Sequence, residues 1–169
     1  MSPGGVAGLD MLRVGEKVPD FTLQMATAEG RRPFRLSEAL GQGDIFLVFY
    51  PLAFTGVCTR QVCETRDALH FFEHVHARPY GFSTDTPQAN AAYAREQKLG
   101  FPLLSDPNRE VVERIWETQD ESGVARVAKR GWMVVGPDGV VKALWKTDDA
   151  EVWPGLAEAK KVLHAGHHH

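Results

Sequence analysis

The feature that most limits the fold of this chain is an unbroken apolar run at residues 45–50, followed directly by Pro51. A strand with one wet face alternates apolar and polar residues, whereas continuous apolar character is typical of a strand buried on both faces. From about residue 55 to residue 76 the apolar positions recur at spacings of three, four and seven, which predicts a helix. The run therefore predicts a central strand that is covered by helices.

The alternation of strand and helix continues along the rest of the chain. Two short strands at residues 21–25 and 33–36 form a predicted hairpin, which a single helical turn at 37–40 follows. Thr86 as N-cap and Pro87 as first helical residue predict a helix that Gly100 ends, and Asp106 with Pro107 predicts a similar helix start. The remaining predictions are strands at residues 79–83, 101–104, 132–135 and 140–145, a polar loop at 117–128, and a last helix with Leu156, Ala159 and Leu163 on one face.

This order of elements predicts an α/β fold in which helices flank a mixed central sheet on both faces. It is the order of a thioredoxin-like fold with an N-terminal β-hairpin and a middle insertion. A length of 169 residues corresponds to about one domain, which we assign to residues 11–164. Residues 1–10 are predicted to be flexible, and residues 165–169, which end in three histidines, are interpreted as part of a purification tag.

Composition excludes several classes of protein. The chain has 19 basic and 22 acidic residues, a net charge of −3, which does not fit a strongly basic nucleic-acid-binding protein. No apolar run approaches the roughly 18 to 20 residues of a membrane helix. Two cysteines in a chain without a recognisable secretory leader are typical of the reducing cytoplasm, where a close cysteine pair is more often reactive than structural.

Cys58 is the residue whose surroundings point most directly to chemistry. It falls in the first turn of the predicted helix, where free backbone N–H groups and the helix dipole favour a thiolate. The Thr55 hydroxyl, three residues earlier, is placed to donate to that thiolate or to a bound oxygen atom, and the Pro51 ring can shield the sulfur from water. Cys63 fits a small buried hydrophobic residue as well as it fits a reactive one.

The residues Pro51-x-x-x-Thr55-x-x-Cys58 resemble the active-site signature of the peroxiredoxins. The resemblance covers most of the chain, and further segments are similar to landmarks of that family: residues 18–21, 82–87, 101–106 and 130–139. It implies a thiol peroxidase that reduces hydrogen peroxide and organic hydroperoxides.

The resemblance also implies a role for each site residue. Cys58 would attack the peroxide and become a sulfenic acid, while Thr55 would hydrogen-bond the peroxide and Pro51 would shield the site. Arg130 matches the arginine of the family site, whose charge would stabilise the thiolate and polarise the peroxide. The backbone N–H groups of Val57 and Cys58 would stabilise the leaving oxygen.

A second cysteine, Cys63, lies five residues after Cys58 and resembles the resolving cysteine of the bacterioferritin-comigratory, or Q-type, subfamily. In that subfamily it would convert the sulfenic acid into an intramolecular disulfide. Many such proteins have Glu three residues after the first cysteine, where this chain has Gln61. Residues 50–56 also resemble the one-cysteine, alkyl-hydroperoxide-reductase-E type, so external thiol resolution stays an open alternative.

Helix geometry adds a constraint on the two cysteines. Five residues of helix correspond to about 7.5 Å of rise and a rotation of about 140°, which separates the two Cα atoms by roughly 8.6 Å. A disulfide requires less than about 7 Å. Cys58 and Cys63 therefore cannot bond unless the first turns of the helix unwind.

The resemblance implies no metal, haem or flavin. It implies a small dithiol protein as reductant, thioredoxin first and a glutaredoxin second. A monomer is our first expectation for the oligomeric state, with a dimer as the alternative, and neither nucleic acid nor membrane is an expected partner.

Three other functions are alternatives to this interpretation. A thioredoxin-type disulfide reductase would close its disulfide with Cys-x-x-Cys, whereas four residues separate Cys58 and Cys63. A metal-binding module would rely on His70 and His74, because Cys63 lies about 10 Å along the helix axis from His70 and cannot share an ion with it. A non-catalytic interaction domain on the same fold stays open.

Overall fold

The computed structural model describes residues 12–167 of the chain, with side chains described to residue 166. The predicted flexibility of residues 1–10 and the last two residues of the histidine tail lie outside this range. In chain order the elements are β1 (Thr22–Thr27), β2 (Gly30–Arg35), α1 (Leu36–Ala39), β3 (Ile45–Phe49), α2 (Gly56–Asp67), α3 (Leu69–His74), β4 (Arg78–Ser83), α4 (Pro87–Glu96), β5 (Leu103–Ser105), α5 (Val112–Ile115), β6 (Thr118–Glu121), β7 (Val124–Ala128), β8 (Arg130–Val135), β9 (Val141–Thr147) and α6 (Ala157–His167).

The central sheet contains seven strands in the order β2-β1-β5-β4-β3-β8-β9. Strands β3, β4 and β5 are parallel to their neighbours in that set, and the remaining pairs are antiparallel. This arrangement confirms the predicted mixed sheet with an N-terminal hairpin at one edge. The segment between β5 and β8, which holds α5 and the separate hairpin β6–β7, is the predicted insertion.

Strand β3 lies in the interior of the sheet, between β4 and β8, and all five of its residues are completely buried. Its side chains alternate between two cores, as a pleated strand requires. Leu47 and Phe49 pack into the core on one face, and Phe46 and Val48 pack against α3 and α6 on the other. The predicted burial of both faces is therefore confirmed.

Two predicted segments differ from the structure in their internal organisation. The predicted helix at residues 55–76 is divided at Ala68, whose backbone leaves the helical region with φ −98° and ψ 10°. Residues 117–128, predicted as a loop, form the hairpin β6–β7, which turns at Ser122 and Gly123 with positive φ angles of 51° and 82°. The sequence gives no apolar alternation that would predict this hairpin, because only Val127 and Ala128 at its base are buried.

The helix ends also differ from their predicted positions. The Thr86 cap is confirmed, since its hydroxyl accepts from the Ala89 N–H at 3.1 Å. Helix α4, however, ends at Glu96, and Lys98 rather than Gly100 adopts the left-handed conformation, with φ 53°. Asp106 does not begin a helix. Its carboxylate accepts hydrogen bonds from the N–H groups of Val111 and Val112, and the short helix α5 begins at Val112.

Candidate active site

Helix α2 begins at the carboxyl end of the buried strand β3. Thr55 is its N-cap residue, and the first helical hydrogen bond joins the Thr59 N–H to the Thr55 carbonyl at 2.8 Å. Gly56, Val57 and Cys58 therefore occupy the first turn, whose N–H groups have no partner within a helix. The Cys58 side chain is only 1% exposed. The sheet and the helix thus hold one thiol at a fixed, nearly enclosed position beside free backbone donors.

Arg130, the first residue of β8, contacts this thiol from the neighbouring strand. Its Nη1 donates to the Cys58 sulfur at 3.2 Å, and its Nε donates to the Ala150 carbonyl at 2.8 Å. Arg130 is only 2% exposed, so water screens its charge little and the charge acts mainly on the groups that it contacts. A guanidinium carries a permanent positive charge in proteins, so this contact is a charge-assisted hydrogen bond to the sulfur.

Gln61 fixes the position of Arg130. Its Oε1 accepts from Arg130 Nη1 at 2.6 Å, and its Nε2 donates to the Phe49 carbonyl at 2.8 Å. The side chain is completely buried. In the sequence alone, Gln61 stands out only as a mark of subtype. The available signal was its spacing, because residues three apart on a helix share a face and Gln61 therefore faces the same way as Cys58.

A cleft of about 130 Å³ opens over the Cys58 sulfur. Its lining brings together all the predicted site residues except Cys63: Pro51, Thr55, Val57, Cys58 and Arg130. The other lining residues are Leu52, Gly56, Glu121, Ser122, Ala150 and Glu151, of which the last four come from the β6–β7 turn and the segment after β9. The Thr55 hydroxyl donates to the Leu52 carbonyl at 3.0 Å in this structure.

Cys63 lies on the same helix as Cys58 and outside the cleft. It is half-buried, and its thiol donates to Gln97 Oε1, just after α4, at 3.3 Å. Both cysteines are free, and α2 is continuous from Gly56 to Asp67, so the helical separation of roughly 8.6 Å applies to them. Among the described residues, no group of three or more His, Cys, Asp and Glu side chains is close enough to hold a metal ion. In the same part of the chain no helix is long and apolar enough to cross a membrane.

The loop between β3 and α2 is held by Asp85, two residues after β4. The Asp85 carboxylate accepts from the Ala53 N–H at 2.9 Å and from the Ser83 hydroxyl at 2.8 Å. Burial raises the pKa of the Asp85 carboxyl, and these two hydrogen bonds only partly oppose that effect. The next loop residue, Phe54, has a positive φ of 67°, and its ring lies 4.8 Å from that of Tyr93. The loop is thus held by one carboxylate and one aromatic contact.

Asp85→Ala is expected to reduce the free energy of unfolding by about 1–3 kcal/mol, because it leaves a loop N–H and a buried hydroxyl without their acceptor. Asp85→Asn keeps an oxygen acceptor and removes the buried charge, so it should be at least as stable as wild type at pH 7. Urea unfolding of the three proteins measures both differences.

The pH dependence of the Asn variant has a defined sign. Because the pKa of Asp85 is raised in the fold, the folded wild type binds more protons than the unfolded chain between the two pKa values, and its stability falls as pH rises through that window. Asp85→Asn lacks this fall, so its stability advantage over wild type should grow as pH increases from the unfolded aspartate pKa of about 3.9 towards neutrality. A constant difference across this range would contradict the assigned role.

A family profile, several known sequences and several solved structures are similar to this chain. The sequence profile of the AhpC/TSA family matches residues 14–144. Alkyl hydroperoxide reductase E of Mycobacterium tuberculosis is 34% identical over 139 residues, which are 78% of this chain and 84% of that protein. The crystal structure of peroxidoxin BcpB from Mycobacterium tuberculosis aligns with a TM-score of 0.79 and 30% identity, over 91% of this chain and 97% of that one. Enterococcus faecalis AhpC, at 23% identity, aligns with a TM-score of 0.81 over 92% of each chain and supports the fold.

Proposed function

The chain belongs to the AhpC/TSA family of peroxiredoxins, which are thiol peroxidases, and on this premise we propose that Cys58 is its peroxide-reactive cysteine. The observation that carries the proposal is the 3.2 Å contact from Arg130 Nη1 to the Cys58 sulfur at the floor of the cleft. A buried thiol with no cation beside it would stay neutral and unreactive.

In the proposed reaction, the Cys58 thiolate attacks the terminal oxygen of hydrogen peroxide or an organic hydroperoxide. The O–O bond breaks, the sulfur gains the OH group as a sulfenic acid, and the leaving oxygen takes up a proton to become water or an alcohol. Arg130 and the N–H groups of Val57 and Cys58 stabilise the negative charge that develops on the leaving oxygen. The Thr55 hydroxyl rotates from the Leu52 carbonyl to the bound peroxide, and Pro51 keeps water from the sulfur.

For the second step, we propose that Cys63 resolves the sulfenic acid. Its thiol displaces the sulfenic OH as water and forms an intramolecular disulfide, which a dithiol protein such as thioredoxin or a glutaredoxin then reduces. Since the two cysteines are too far apart within an intact α2, the first turns of this helix unwind before the bond forms. The unwinding also breaks the hydrogen bond from Cys63 to Gln97.

The alternative is resolution of the sulfenic acid by an external thiol. The contact between Cys63 and Gln97 favours it, because this contact and the continuous helix both keep Cys63 outside the cleft. In that case Cys63 acts as a packing residue between α2 and the end of α4.

Intact mass after one equivalent of hydrogen peroxide separates these possibilities. The wild type is expected to lose two mass units as it forms the disulfide, whereas Cys63→Ser should stop at a sulfenic acid that a dimedone probe traps on Cys58. Cys58→Ser serves as the blank, since it lacks the reactive sulfur. A wild type that also stops at the sulfenic acid supports external resolution, and no reaction within minutes in any of the proteins refutes the assignment of Cys58.

Hydrogen exchange provides an independent test of the unwinding step. Amide protection over residues 59–64 should fall when the protein is oxidised to the disulfide, because these residues leave the helix. Equal protection in the reduced and oxidised proteins would contradict it.

A further inference from the structure

The mouth of the cleft carries two carboxylates that the proposed reaction does not use. Glu121 lies at the turn of the β6–β7 hairpin, and Glu151 follows β9 and Ala150. Both line the cleft, and both are more exposed than Cys58 and Arg130 at its floor. The β6–β7 hairpin, which the sequence did not predict, therefore brings the acidic side chain of Glu121 to the cleft.

No cation neutralises these two carboxylates. Neither Glu121 nor Glu151 forms an ion pair with any of residues 12–166, whereas Lys129 and Lys146 are paired with other carboxylates. Lys129 binds Glu117 and Asp148, and Lys146 binds Glu117 as well. Arg130 lies at the floor of the cleft, where its Nε donates to Ala150 and its Nη1 donates to Cys58 and Gln61. Among the described residues that line the cleft, the charged groups are therefore two carboxylates without an ion pair and one cation, Arg130 at the floor.

The size of the cleft forces larger substrates against this rim. A cavity of about 150 Å³ holds a single benzene molecule, and the cleft here has about 130 Å³. Hydrogen peroxide fits inside it entirely. An organic hydroperoxide places its O–O–H group at the sulfur, while most of its carbon part lies at the mouth, next to Glu121 and Glu151.

We propose that these two carboxylates make the enzyme select uncharged hydroperoxides over hydroperoxides that carry a carboxylate within a few ångströms of the peroxide group. This inference rests on the proposed reaction of Cys58. Two like charges at the distance of a ring's width repel measurably at a partly desolvated protein surface, and salt screens the repulsion. Uncharged substrates avoid this repulsion. Glu121 and Glu151 therefore change the ratio between the oxidation rates of Cys58 with uncharged and with anionic hydroperoxides.

The test uses two analogues of cumene hydroperoxide, one with a carboxylate and one with an uncharged carboxamide at the same ring position, which differ by one charge at nearly constant shape. Stopped-flow rates of Cys58 oxidation are measured for the wild type and for Glu121→Gln/Glu151→Gln. The wild type is expected to prefer the uncharged compound at least fivefold, and the double variant should lose most of this preference. Added KCl at about 0.5 M should raise the wild-type rate with the anionic compound relative to the uncharged one.

A matched control separates the rim from net charge. Glu29→Gln/Glu38→Gln changes the net charge by the same amount at exposed positions that do not line the cleft, and it should keep the wild-type preference. If the double rim variant keeps the preference, or if the wild type consumes both compounds equally at low salt, the proposed selectivity is wrong while the peroxidase assignment stands. If the wild type consumes neither compound nor hydrogen peroxide, the proposed function itself fails.

Discussion

Replacing Arg130 with glutamine is expected to slow the oxidation of Cys58 by hydrogen peroxide about 100- to 1000-fold at pH 7. Among residues 12–166, the guanidinium is the only positively charged group that lines the cleft, and it contacts the sulfur directly at 3.2 Å. Hydrogen bonds to charged groups contribute about 1.5–3 kcal/mol, and loss of one preorganised donor to a developing anion typically costs about 10²–10³ in rate. Glutamine removes the charge and at least one of the donors together.

Two further variants distinguish contact from general electrostatics. Arg130→Lys keeps the charge but cannot reach the sulfur, Gln61 and Ala150 at once, so it should fall between the wild type and the glutamine variant. Arg60→Gln removes the same charge from an exposed position on α2, two residues from Cys58, and should stay within about threefold of wild type. Single-turnover rates with hydrogen peroxide, together with the thiolate absorbance at 240 nm, measure all three. A glutamine variant within threefold of wild type would falsify the role assigned to Arg130.

The parts of the site that are local in sequence could be predicted from the residues. Pro51, Thr55 and Cys58 lie within eight positions, and their placement depends only on a buried strand that ends at a helix start. Arg130 was assigned from the family resemblance, because nothing in its own surroundings distinguishes it from an exposed charge. It reaches Cys58, 72 positions away, through the antiparallel pairing of β8 with β3.

The parts that could not be predicted depend on contacts between distant segments. Asp85, two residues after β4, holds the loop before α2, and Glu121 reaches the cleft on a hairpin whose polar sequence is typical of a loop. Gln61 faces Arg130 only because α2 packs beside β8. In each case, the sequence specifies a polar side chain whose partner is decided by how strands and helices are layered. Local patterns carry no such information.

Gly131→Ala is expected to lower the free energy of unfolding by about 3 kcal/mol, at the upper end of what overpacking a core costs. A Cβ atom at this position would collide with the backbone carbonyl of Trp145 and lie 2.8 Å from Lys146 Cα, both on the neighbouring strand β9. It would also lie 2.7 Å from Cζ2 of Trp116, whose ring stacks on Phe49 at 3.9 Å and has little freedom to move. Because backbone has to shift, Arg130 next to it shifts too, and Cys58 oxidation should slow along with the loss of stability.

Gly136→Ala provides the matched control for this substitution. Gly136 is also buried and directly follows β8, but its nearest neighbour is the Asp138 carboxylate at 3.0 Å, a side chain that can turn away. It should therefore change the unfolding free energy by less than about 1 kcal/mol. For a domain of this size, the Gly131 variant should melt roughly 6–12 °C below wild type, at about 2–4 °C per kcal/mol. Equal melting temperatures for the two alanine variants would mean that β9 can shift without loss of stability. The close approach of β8 and β9 would then not set the position of Arg130.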